Sequence, residues 1–284
     1  MGLKFYFQNN WSAETGMRID STSDYGNFFL PRIALLYTPD EATSLRIGGG
    51  FGYMEPTLFS SEAEAIQYKG LLPLDVKQLV AEESIGLNVD LNHRLIFDNG
   101  ATLNFNFLLF YTKVNDPLRL TEINKEQLAY HQPDDYLHTQ GTELNLVWRW
   151  KDFKYFFGYT YADVEEHTAT VVKRSSLIPR ERINNVIVYE REDDFRIGLE
   201  AYYFGDQVLT NGKTVGDYWI YGLMMEKVFS KDFSIFINFE NFSDVRQTRF
   251  GSIYSGSKLN PLFSDIYAPL DGFVVNGGIK LKLF

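Results

Sequence analysis

Apolar and polar residues alternate with a period of two along most of the chain. In ATLNFNFLLFYTKV (101–114), Leu103, Phe105, Phe107, Leu109 and Tyr111 share one parity, and Thr102, Asn104, Asn106 and Thr112 the other. The same split sets Phe153, Tyr155, Phe157, Tyr159 and Tyr161 against Lys154, Gly158 and Thr160. It sets Phe195, Ile197, Leu199, Ala201 and Tyr203 against Arg196, Gly198, Glu200 and Tyr202. The last stretch, FVVNGGIKLKLF (273–284), alternates to its end, with Ile279 and Leu281 on one side and Lys280 and Lys282 on the other. Successive side chains of a strand point to opposite faces, so each stretch predicts a strand with one apolar and one polar face. No segment keeps a 3.6-residue apolar period over three turns, and the one short helical candidate is SSEAEAIQYKG (60–70). The pattern predicts a nearly all-β chain.

About thirteen strands follow, near 2–8, 11–20, 28–38, 44–53, 82–96, 100–114, 136–150, 152–163, 180–191, 194–205, 216–229, 232–241 and 272–284. Their connections alternate in length. The short ones are NN (9–10), TPDEATS (38–44), FDNG (97–100), WKD (150–152), REDD (191–194) and SKD (230–232), all of tight-turn composition. The long ones cover roughly 54–81, 115–135, 164–179, 206–215 and 242–271, and only 21–27 is modest. A soluble sandwich has no reason to gather its long loops at one end, whereas a transmembrane barrel has short periplasmic turns and long extracellular loops. The strands run about ten residues or more, against an average of about five or six in soluble sheets, and a tilted span of bilayer needs about 9–11. Soluble barrels and sandwiches use shorter strands and bury the apolar face as core. Here the polar parity carries Arg18, Arg32, Arg46, Glu143, Arg149, Glu200, Glu226 and Glu240. The expectation is therefore an antiparallel transmembrane up-and-down β-barrel in the outer membrane, with the apolar rows facing lipid and these charges facing a lumen.

Composition narrows the chemistry. The 284 residues hold 24 Phe, 18 Tyr and 4 Trp, which suits rows of lipid-facing and interfacial aromatics. There is no cysteine, hence no disulfide framework or thiolate metal site. A net charge of −10 argues against a nucleic-acid partner. No run reaches the roughly 18–20 apolar residues of a membrane-spanning helix. No nucleophile elbow, Walker loop or HExxH is present, so neither an enzyme nor a cofactor is expected. Of the four histidines, His131 and His138 flank QPDDYL. Solvated loop histidines are the plain reading, because a metal site needs three or four convergent groups, and no metal site is expected.

Several stretches resemble the C-terminal part of the β-barrel of a TonB-dependent outer-membrane receptor of the Bacteroidetes type. AETGMRID (13–20), LPRIALLYTP (30–39) and SLRIGGGFGYMEPTLF (44–59) are similar to successive strands of that barrel, with Tyr53-Met54-Glu55 departing from the usual aromatic-Arg form. AEESIGLNVDL (81–91), SLIPRERINNVIVYE (176–190), FENFSDVRQTRFG (239–251) and DIYAPLDGFVVNGGIKLKLF (265–284) resemble later strands in the family's order. Leu283 holds the parity on which the family places its terminal aromatic, and Phe284 stands one past it. The resemblance implies about thirteen C-terminal strands of a 22-stranded barrel, a size whose lumen is plugged, with the plug domain and the TonB-contacting segment lying outside these residues. It implies energy-coupled uptake of a scarce small-molecule ligand such as a metal chelate (siderophore), vitamin or oligosaccharide. The implied partners are outer-membrane lipid, the receptor's own plug and the TonB complex. A passive porin is the alternative function. A hydrolase is a third, and it would require a His–acid pair near the rim.

Ligand-contact candidates are Tyr53, Phe59, Tyr68, Tyr130, His131 and Tyr136 in or beside the long loops, together with Arg246 and Arg249. Aromatic and Arg side chains dominate binding hot spots. Tyr53 and Tyr136 suit an interfacial girdle equally well. Arg246 and Arg249 suit a role holding the last long loop. The polar-parity charges are expected to face the plug.

Overall fold

The computed structural model describes residues 2–7, 9–60, 68, 70–124, 127–133, 135–257 and 259–282. The expected helix over 60–70 falls mostly outside them, as do Leu283 and Phe284. The first strands are β1 (Gly2–Tyr6), β2 (Trp11–Thr22), β3 (Gly26–Tyr37), β4 (Thr43–Met54), β5 (Glu82–Ile96) and β6 (Thr102–Asn115). There follow β7 (Arg119–Asn124), β8 (Gln127–His131), β9 (Tyr136–Trp150), β10 (Phe153–His167), β11 (Val172–Arg174), β12 (Glu181–Arg191) and β13 (Phe195–Phe204). The rest comprises β14 (Gln207–Val208), β15 (Thr214–Val215), β16 (Tyr218–Ser230), β17 (Phe233–Glu240), α1 (Gln247–Phe250), β18 (Tyr254–Ser257), β19 (Asn260–Phe263) and β20 (Val274–Leu281).

Thirteen strands form one up-and-down path, β1-β2-β3-β4-β5-β6-β9-β10-β12-β13-β16-β17-β20. Each is joined to its sequence neighbour on that path, as the alternation of short and long connections requires. The Asn9-Asn10 turn has both residues at positive φ (62 and 65), the pair of conformations whose twist suits a tight antiparallel hairpin. The remaining strands decorate the long connections: β7 pairs with β8, β14 with β15 and β18 with β19, while β11 returns along β10. These pieces and α1 are additions to the strands the sequence predicts. Three strands fall below the expected length of about ten residues: β1 has 5 residues, and β17 and β20 have 8 each. For β17 the cause is local. Asn241 follows it at φ 48, and its side chain binds Val245 N, Val245 O and Asp271 O, turning the chain out of the sheet.

The register lines up the alternation across strands. Tyr155 faces Ile187, Ile187 faces Leu199, Leu199 faces Leu223, Leu223 faces Phe239 and Phe239 faces Val275. Leu199 and Ile187 are 49% and 47% exposed in this row, and Ile279 and Leu281 on the same parity are 66% and 60% exposed. The row three residues along runs Glu190, Arg196, Glu226, Phe236 and Gly278 on the other face. A monomeric soluble protein rarely leaves so large an apolar face uncovered. A bilayer supplies the missing apolar partner, and the small set of buried residues follows from that. One local cluster, of Phe28, Leu30 and Ala81 with Tyr25 and Tyr53 against it, sits beside the 55–81 connection.

The chain forms two compact units. One comprises Met1–Asp90, Leu109–Gly141 and Asp163–Arg174, and the other Leu91–Leu108, Thr142–Ala162 and Ser175–Phe284.

Candidate functional site

Within the first unit, the polar face of β2 to β4 carries Arg18, Arg32 and Arg46. Arg18 Nε lies 2.9 Å from Asp20, and Arg32 Nη2 lies 3.4 Å from Glu14. The Arg32 side chain crosses Gly16, its partner in register, so closely that a Cβ there would fall on the guanidinium. Arg32 and Arg46 line a concavity of about 350 Å³ with Glu14, Asn88 and Thr112. Within the second unit, Glu190 receives Lys154 and Arg196, Arg196 reaches Glu226 at 3.9 Å, and Glu226 receives Ser234 and Lys280 at 2.8 Å each. This ladder crosses the sheet from β10 to β20. Glu200 accepts the Tyr202 hydroxyl at 3.1 Å, Glu143 accepts the Asn145 amide at 2.6 Å, and Glu240 accepts the Asn276 amide. Arg149 is exposed.

The loop candidates divide. Tyr53 stacks on Phe28 with ring centroids 3.8 Å apart, as part of the local core. Phe59 is 79% exposed and meets Tyr68 edge-on at 5.8 Å. Tyr130 hydrogen-bonds Ser60, and Leu72 N donates to Leu128 O at 2.8 Å, so the 55–81 connection is tied to the β7–β8 hairpin. His131 Nδ1 lies 2.9 Å from Thr121 Oγ1 across that hairpin. Arg246 and Arg249 both reach Asp244, which also accepts the Phe273 amide at 3.1 Å. The Phe273 amide, with Arg249 and Arg246, holds the Asp244 carboxyl below the usual carboxylate range.

Sequence reasoning missed the groups that bind loop to loop. The Gln132 side chain brackets Val80, accepting its N–H and donating to its carbonyl at 2.8 Å each, and also donates to Asp116 O. Gln247, 2% exposed, accepts the Tyr267 and Ala268 amides and donates to Asp265 O. Gln207 and Tyr218 both donate to Tyr267 O. Arg119 lies 3.7 Å from Asp135 and 3.6 Å from Glu166. Burial pushes the Asp135 carboxyl up, and Arg119 draws it back.

His138 is separated in role from His131. It converges with Glu165 and His167, which the sequence reading did not connect to it. His167 Nε2 lies 3.0 Å from Glu165 Oε2, and Tyr136 stacks on His167 with its hydroxyl 3.1 Å from Nδ1. This is a His–acid pair where the β10 strand ends. The hydroxyl that faces His167 is the phenol of Tyr136, so the arrangement offers metal or polar ligands rather than an aliphatic nucleophile activated by imidazole.

Strands that present exposed apolar side chains to one side and charge to the other are the pattern of a transmembrane β-barrel of the outer-membrane type. The chain belongs to the TonB dependent receptor-like β-barrel family, whose model matches residues 2–242. A point mutant of the ferric enterobactin receptor PfeA from Pseudomonas aeruginosa, in complex with enterobactin, superposes with a TM-score of 0.71 at 16% identity, over 98% of this chain and 44% of that one. The siderophore receptor PirA from Acinetobacter baumannii gives 0.68 at 16% identity, over 96% and 44%. The FpvAI receptor in its complex with pyocin S2 gives 0.65 at 15% identity, over 98% and 38%. At this identity the likeness is one of fold. The chain spans less than half the length of these receptors. Among curated protein sequences none matches it.

Proposed function

We propose that these strands are the C-terminal part of a 22-stranded receptor barrel that takes up a scarce small-molecule ligand, a metal chelate of the siderophore class, under energy from TonB. The observation that carries the reading is the interlocking of the long connections at one end of a two-faced sheet. The 55–81 connection is bound to β7–β8, and the last connection is bound through Gln247, Asp265 and Thr210 to the one bearing β14 and β15. On this reading that end is extracellular, and its exposed aromatics, Phe59 and Tyr68, contact the ligand. Arg246 and Arg249 hold the last loop through Asp244. The polar-face charges, from Arg18, Arg32 and Arg46 to Glu143, Arg149, Glu200, Glu226 and Glu240, face the lumen and meet the plug of the full-length protein. Membership of a family of transport receptors, and likeness to siderophore receptors, favour this over a passive porin.

Uptake of radiolabelled ferric chelates by cells carrying the full-length protein should fall to background when TonB is deleted, with the protein still in the outer membrane. Uptake that persists unchanged without TonB would support the porin instead.

A further inference from the structure

We infer that His138, Glu165 and His167 form a binding site for a divalent cation of the zinc class, held outside the lumen. The three side chains come from the first residues of β9 and the last residues of β10, neighbouring strands of the sheet. Glu165 and His167 are two apart on one strand and therefore share a face. One ligand atom from each of the three residues lies within 4.8 Å of the others. The His167 Nε2–Glu165 Oε2 and His138 Nδ1–Glu165 Oε2 separations are 3.0 and 3.8 Å. Zinc bonds of about 2.0–2.1 Å in tetrahedral geometry place ligand atoms about 3.3–3.5 Å apart, between these two values. Two imidazoles and a carboxylate are the donor set of several zinc centres, with a fourth position left for water.

Two further observations point to a ligand. His138 is half-buried, yet among the described residues its Nε2 has no hydrogen-bond partner and its Nδ1 has only the long approach to Glu165. A half-buried imidazole is ordinarily satisfied, and a metal bond at Nδ1, the nitrogen that faces Glu165, would replace its long approach to that carboxylate with a strong interaction. Coordination at His167 Nε2 requires the proton on Nδ1, where the Tyr136 phenolic oxygen stands 3.1 Å away to accept it. The phenolic oxygen would here take the place of the carboxylate, carbonyl or water that ordinarily accepts this proton and fixes ring and tautomer. Tyr111 walls the other side, its ring 5.0 Å from that of His138. One nearby cation, Lys113, lies over the Tyr136 ring at 4.1 Å, and Arg174 stands opposite Glu165 in register. The cation would staple the ends of β9 and β10 at the side that carries the long connections.

The test uses the full-length receptor folded in detergent, stripped with EDTA, equilibrated with ZnCl₂ under excess Mg²⁺, desalted and counted for zinc by mass spectrometry. Wild type should hold one more zinc per chain than His138→Ala/His167→Ala. Glu165→Gln, which keeps the shape, should weaken that zinc at least tenfold against a chromophoric chelator, and Tyr136→Phe by about 10–100-fold. Retained heat-modifiability on gels shows that each variant is folded. An unchanged zinc count in the folded double variant, or affinity unmoved in Glu165→Gln, would overturn the site.

Discussion

Leu109→Arg is expected to destabilise the folded barrel by about 2–4 kcal/mol, the range for a cation placed on the lipid face near the bilayer midplane. Leu109 stands on the apolar parity of β6 and is 45% exposed. The neighbouring change Asn106→Arg should cost far less. Asn106 is on the opposite parity, where its amide donates to Asn92 at 2.9 Å and its oxygen faces Asn145 at 3.5 Å. Losing one such bond removes about 0.5–1.5 kcal/mol, and the new guanidinium stays among polar groups. Denaturant titration of the full-length protein in lipid vesicles, followed by tryptophan fluorescence, separates the two. Equal losses would mean that the two faces of β6 are exchanged or that neither meets hydrocarbon.

Arg119→Met is the second large effect, local to the connection between β6 and β9. The Asp135 side chain is 4% exposed, and Arg119 lies near both it and Glu166. Removing the cation leaves two carboxylates facing each other in a partly dry site. Breaking a buried pair typically loses about 3–5 kcal/mol, and the loss here should fall at the low end, because Asp135 can neutralise by taking a proton. The sign follows from burial. A carboxyl whose folded pKa is raised opposes folding above that pKa, and the opposition vanishes below the unfolded value. Asp135 is already raised in the presence of Arg119, and without it the shift grows. The variant's 116–135 connection should therefore open to protease at neutral pH and regain protection as pH falls toward the acidic range. Protection that falls further with acid would contradict this account of Asp135.

The thirteen-strand path was legible because period-two patterning needs only one strand at a time. Phe195, Ile197 and Leu199 against Arg196 and Glu200 declare their faces without knowledge of any neighbour, and the turn at Asn9-Asn10 declares itself by residue type. What was illegible depends on register or on contact between distant loops. Gln132 reaches Val80, and Gln247 reaches Tyr267 and Ala268, yet nothing in a glutamine's immediate sequence marks it as a bracket. The grouping of His138 with Glu165 and His167 emerges only when β9 and β10 are set side by side. Tyr53 was visible as an aromatic near a strand end, but its stacking on Phe28 rests on where β4 meets the start of β3.

The claim beneath all of this is that odd-numbered side chains of β13 meet lipid and even-numbered ones a polar interior. Spin labels placed singly at 196, 197, 198, 199, 200 and 201 of the full-length protein in bilayers test it. Collision rates with oxygen, which concentrates in hydrocarbon, should be high at Ile197, Leu199 and Ala201. Rates with a water-soluble nickel chelate should show the opposite phase at Arg196, Gly198 and Glu200. Rates that do not alternate, or that alternate in the reverse phase, would contradict the account.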